Sequence, residues 1–174
     1  MSKTILVTYA SRAGSTAGVA QAIGRALEEC GAQVDVRPMD AVADLAPYQA
    51  VVAGSAIQAS SWLPEALRFL RNHQAALRRV PFAAFQVCMT LAMPGGENYR
   101  PAVTDKFMLP VRSLIRPVSE GVFAGALDIA RIPSWADRLK FRLSVLLGVW
   151  KEGDHRDWEA IRSWTLSIRA LLAL

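Results

Sequence analysis

The sequence predicts an α/β fold: a doubly wound, five-stranded parallel sheet with helices on both faces. Two observations carry that prediction. Short apolar runs of small and β-branched residues, such as Thr4–Tyr9, Gln49–Ser55 and Phe82–Met89, read as strands buried on both faces. Stretches in helical rhythm separate the strands, and the alternation runs through the 174 residues without internal repeat, linker or low-complexity segment. Parallel strands with right-handed crossovers place a ligand beyond the strands' carboxyl ends, where the strand order reverses. The length predicts one domain spanning 1–174.

Thr4–Tyr9 leads into an amphipathic helix from Ser15 to Cys30, which Gly31 ends. Gln33–Arg37 alternates and reads as a short strand at or near a sheet edge. Asp40–Leu45 is a short helical or irregular link. After the Gln49–Ser55 strand, Ser60 or Ser61 caps a helix carrying Leu63, Ala66, Leu67, Leu70 and Leu77. Pro64 falls in its first turn, where a missing N–H does little harm. Phe82–Met89 is a central strand, and Thr90–Arg100, with Pro94-Gly95-Gly96, reads as an exposed loop. A helix over Pro101–Ile115 precedes a fifth strand, Val118–Leu127, weakened by Gly121, Ala124 and Gly125. Helices over Ser134–Trp150 and Asp157–Leu172 close the chain.

The functional signal is Ser11-Arg12-Ala13-Gly14-Ser15-Thr16, between the first strand and its helix. A turn there aims backbone N–H groups and the positive end of the helix dipole at one spot. Ser11, Ser15 and Thr16 add hydroxyl donors, and Gly14 permits close approach. The site suits a phosphate. It lacks the Gly-x-Gly-x-x-Gly of dinucleotide loops and the Lys of nucleoside-triphosphate loops, so a phosphate monoester held by neutral donors fits best. The same residues also fit an ordinary serine-capped turn, an alternative the loop alone leaves open.

On this fold two more loops converge with it, Ser55–Trp62 and Thr90–Tyr99. Trp62 and Tyr99 are the aromatic candidates for stacking on a planar ring. Backbone amides around Ser55, Ala56, Ile57 and Gln58, and at Thr90 and Leu91, are candidates for its polar edge.

The first loop resembles the flavin mononucleotide (FMN) loop of flavodoxins, where a Ser/Thr-x-Thr-Gly-x-Thr run follows the first strand; Ala13 departs by one hydroxyl. Over nearly its whole length the chain resembles the quinone-dependent protoporphyrinogen oxidase family, a short bacterial type with a flavodoxin-like domain. The resemblance rests on Ser11-Arg12-x-Gly14-x-Thr16, Gly54-Ser55-Ala56-Ile57, Lys106-Phe107, Phe123-Ala124-Gly125-Ala126-Leu127, Trp135-x-Asp137-Arg138 and Asp157-Trp158-Glu159. It implies FMN as cofactor, a quinone as electron acceptor, and a porphyrinogen-like substrate of heme biosynthesis oxidised at a membrane surface. The chain departs from that family at Gln58-Ala59-Ser60-Ser61, where the family carries basic and aromatic residues, and at Met93–Asn98, where the family is rich in Lys and Arg. Two alternatives stand beside this reading: a soluble flavodoxin-like electron carrier, and an interaction module of the same fold without flavin.

The net charge of +5 implies an anionic partner and is opposite in sign to acidic, electron-carrying flavodoxins. The cations are too dispersed for nucleic-acid binding. No nucleophile–base or paired-carboxylate constellation stands out, and no catalytic residue or metal site is assigned. Cys30 and Cys88 read as core residues of a reducing compartment, and His73 and His155 as surface residues. The strand at the N-terminus leaves no room for a leader, so a cytoplasmic location is expected.

In the 134–151 segment, Leu139, Leu143, Leu146 and Trp150 form one stripe, expected to face the core. Val145 and Val149 lie with Arg138 and Arg142, and Leu147 lies beside Lys140 and Lys151. Anionic lipid at the inner membrane face, the last helix, or a homodimer interface would each cover these extra apolar residues.

Overall fold

The computed structural model describes residues 4–172. In chain order its strands are β1 (Thr4–Ala10), β2 (Gln33–Pro38), β3 (Tyr48–Gln58), β4 (Ser61–Trp62), β5 (Phe82–Cys88), β6 (Ser119–Ala124), β7 (Ala126–Leu127) and β8 (Gly153–Asp154). Five of them form the parallel sheet, ordered β2-β1-β3-β5-β6. The order reverses at β1, so the crevice for a ligand opens past the carboxyl ends of β1 and β3.

Strand alternation splits the core in two. Leu6, Val51, Phe82 and Ala84 face α2 (Pro64–Asn72) and α4 (Arg100–Leu114), meeting Leu70, Met108 and Val111. Ile5, Val7, Val52 and Phe85 face α1 (Ser15–Glu28) and α6 (Trp158–Ile168), meeting Val19, Ile23, Ile161 and Ile168. A short α3 (Gln74–Leu77) follows α2, and α5 (Trp135–Leu146) lies between β7 and β8.

The expected elements are present, with five differences. The expected Ser60/Ser61 cap does not form: Ser60 sits in a two-residue turn and Ser61 in β4, which pairs antiparallel with the end of β3. The helix instead begins at Pro64 without a side-chain cap, and it breaks at His73, whose ring packs 4.6 Å from that of Phe69. The 90–100 segment is no open loop but two 3₁₀ turns, Met89–Ala92 and Gly96–Tyr99, folded against each other. The fifth strand ends at Ala124; beyond Gly125, β7 leaves the sheet and pairs with β8. Finally, Cys30 is half-buried at the end of α1, whereas Cys88 is buried.

Candidate functional site

A cleft of about 440 Å³ opens at the carboxyl ends of β1 and β3, within the roughly 300–1,000 Å³ usual for small-molecule sites. Ser11, Arg12, Ala13, Ser15 and Thr16 form one end of it, and Ala56, Ile57 and Gln58 another. Val87, Met89, Leu127, Ile132 and Phe141 supply apolar walls. A polar cradle thus faces an apolar slot.

The cradle is left open by its own hydrogen bonds. Gly14 takes a left-handed φ of 87°, which a side chain would strain, and its N–H donates to Ser11 Oγ at 3.1 Å. That tight turn starts α1 with no side-chain cap and no acidic residue in its first turn. The free N–H groups of such an end attract an anion. Ser15 Oγ accepts from the Ala126 N–H at 2.9 Å, which ties the cradle to β7 and leaves the hydroxyl proton free to donate. Thr16 Oγ1 is buried without a hydrogen-bond partner. Buried hydroxyls are normally satisfied, so an orphan lining a cleft marks the place of a missing acceptor. The residues present fit a phosphate.

Two cations border the cradle. A Cβ built on Gly14 would lie 3.6 Å from Arg131 Nη1, which puts that guanidinium beside the turn while it pairs with Asp128 at 3.1 Å. Arg156 fits against Gly18 of α1, where any side chain would collide with it. It grips Asp154 through both carboxylate oxygens, at 2.7 and 2.8 Å, and stacks 4.4 Å over the Trp158 ring. Hydrogen bonds from Arg156 hold the Asp154 carboxyl below the usual carboxylate range. This clamp fastens the C-terminal segment to the helix that presents the cradle.

Five of the expected site residues lie away from the cleft. Trp62 is 1% exposed, and its Nε1 donates to Gln86 Oε1 at 3.2 Å, so β4 directs this ring into the core and away from the cleft. Ser55 is equally buried; its hydroxyl accepts from Leu63 N and donates to Ala56 O, anchoring the start of α2. Leu91 packs with Cys88, Val103 and Phe107 beneath α4. Thr90 and Tyr99 do not line the cleft, and Tyr99 is 55% exposed at the start of α4. Gly14 shapes the cradle without lining the cleft, its amide already engaged. Arg12 does line it, but its guanidinium reaches outward to a two-point ion pair with Glu65.

Sequence reasoning missed Phe141, Ile132, Met89 and Gly125, all of which line the cleft. Phe141, packed 6.4 Å from the Trp150 ring, is the aromatic side chain on its wall. The available signal was the length of chain between Gly125 and Gly153: long connections in a compact fold are commonly site walls. The Ile57–Gln58 end is fixed by the turn at Ala59 and Ser60, with φ of 49° and 60°. Two non-glycine residues in this region are costly, and such strain concentrates at ligand sites.

A family model described as "Flavodoxin domain" matches residues 6–154. No curated protein matches the chain. Among solved structures, a flavodoxin of Streptococcus pneumoniae TIGR4 superposes with a TM-score of 0.59 at 16% identity, covering 96% of this chain and 98% of that one. An archaeal flavodoxin gives 0.55 at 17% identity, with 98% and 99% covered. A flavodoxin of Pseudomonas aeruginosa with one cysteine replaced by alanine gives 0.56 at 11% identity, with 98% and 99% covered. These likenesses show the fold.

Proposed function

This chain belongs to the flavodoxin domain family and its cofactor is FMN, and from that premise we propose that it is an FMN-dependent oxidoreductase that delivers electrons to a quinone. The carrying observation is the cleft itself: a neutral hydroxyl cradle at one end, and a slot walled by Ile57, Leu127, Ile132 and Phe141. When bound, FMN supplies the redox chemistry. Ser11, Ser15 and Thr16 hold its phosphate through hydroxyls, with the free amides at the start of α1. The apolar walls exclude water from the ring and offer a greasy approach to a lipid-soluble acceptor.

The exchange removes two electrons and two protons from a reduced substrate and gives the same to the quinone, which leaves as quinol. A porphyrinogen-like substrate, oxidised at the inner membrane face, is the specific reading that the resemblance to protoporphyrinogen oxidases supplies. The net charge of +5 suits such a carboxylated substrate. The test is a coupled assay: FMN-loaded protein, protoporphyrinogen and menadione, followed by porphyrin fluorescence. Porphyrin formation dependent on both FMN and quinone supports the reading. A protein that retains FMN yet reduces no quinone is an electron carrier instead.

A further inference from the structure

Helix α5 is the one α-helix of the described residues with no buried side chain. At about 100° per residue, Trp135, Leu139, Leu143 and Leu146 fall within an arc of roughly 80°. All four face solvent, Trp135 and Leu146 being 77% and 83% exposed. Of the stripe expected to meet the core, Leu139, Leu143 and Leu146 are turned outward, while Trp150 packs against Phe141. Its opposite side is occupied: Asp137 and Phe141 line the cleft, and Arg138 Nε donates to Ile132 O.

We propose that α5 docks the protein on an anionic lipid surface, seating this stripe at the boundary between headgroups and acyl chains. The charge around it selects the occupant. Along α5 itself Arg138, Lys140 and Arg142 stand against the single carboxylate of Asp137, and Lys151 follows the helix. A greasy face framed by cations matches an anionic bilayer. A second copy packed face to face would set those cations against their own kind. The helix has 12 residues, too few to span a bilayer, so it lies along the surface. Because the opposite face of the same helix walls the cleft, docking seats the cleft about one helix diameter, roughly 10 Å, from the lipid. In that respect the inference deepens the proposed quinone chemistry and rests on it; the binding itself does not.

The experiment is sedimentation of FMN-loaded protein with vesicles of phosphatidylcholine alone, or with about one-third phosphatidylglycerol, at low and high salt. Its partner is the variant Leu139→Ser, Leu143→Ser, Leu146→Ser, whose changes are all at exposed positions. An unchanged flavin spectrum and elution volume show that it has folded. The expected result is wild-type binding to the anionic vesicles only, weakened by salt and reduced at least about tenfold in the variant. Wild type that stays in the supernatant, or a variant that pellets equally, overturns the proposal. So does a wild-type dimer that the variant converts to monomer, which would make α5 a self-association surface. Vesicle binding without quinone turnover refutes the redox reading alone and leaves this inference standing.

Discussion

Helices α1 and α5 both carry an apolar stripe and both border the same cleft, yet they use these features in opposite ways. α1 buries Val19, Ala20, Ile23 and Leu27 against the sheet and leaves its N-terminus without a side-chain cap. α5 buries none of its residues and is capped by Ser134, whose Oγ accepts from the Asp137 N–H at 3.3 Å. The helix that holds its place by packing offers its end to a ligand. The helix that is closed at its end offers its side. A missing cap in an otherwise well-packed helix points to a binding partner, and so does an apolar stripe without a core.

The largest expected effect lies in the core of α1. Ile23→Ala should lower unfolding free energy by about 2–5 kcal/mol, read from urea denaturation, because it opens a cavity in a fully buried site. A loss below about 1 kcal/mol would mean that α1 is not the anchored member of the pair. Next comes the open end of α1. Thr16→Val removes a hydroxyl that lacks a partner in the ligand-free chain, so stability should hold or rise. FMN affinity should fall about 10- to 100-fold by fluorescence titration, as expected for losing a hydrogen bond to a charged group. Unchanged affinity would remove Thr16 from the cradle.

A smaller effect concerns the Asp154–Arg156 clamp. Arg156 keeps the Asp154 carboxyl below its ordinary range, so the folded chain takes up this proton less readily than the unfolded one. The stabilisation is complete above the ordinary Asp value, about 4, and is lost as pH falls through the lower folded value. Thermal unfolding of the wild type should therefore drop more steeply than that of Asp154→Asn over this acid range. Parallel profiles would show the clamp to be inert. The smallest effect belongs to α5: Leu143→Ala should change stability by no more than about 0.5 kcal/mol, since the side chain is half exposed. A cost near that of Ile23→Ala would mean that α5 has a hidden partner.

The sheet was legible because strands buried on both faces leave continuous apolar runs, as in Phe82–Cys88, where every residue is buried. The cradle was legible because Ser11, Gly14, Ser15 and Thr16 act through local chain geometry. Trp62 was not. Its place depends on a turn through Ala59 and Ser60 in left-handed conformations that those residue types disfavour, and on Gln86 waiting in the next strand. The α5 stripe misled for a related reason. Periodicity tells that an apolar face exists, whereas what covers it is decided by where the flanking strands β7 and β8 meet. Phe141 reached the cleft through that same placement, beyond the reach of any local pattern.

The register of that small ribbon has a wider consequence. Leu127 lies directly opposite Gly153, so the chain departs from the sheet's rim and returns to it at one point. In terms of chain path the stretch between is one closed excursion. A tight Asn-Gly hairpin joining those two residues would preserve the ladder while deleting the whole excursion. The sheet and the excursion that walls the cleft are therefore joined at one point of the rim, so the excursion's length can vary without redrawing the sheet.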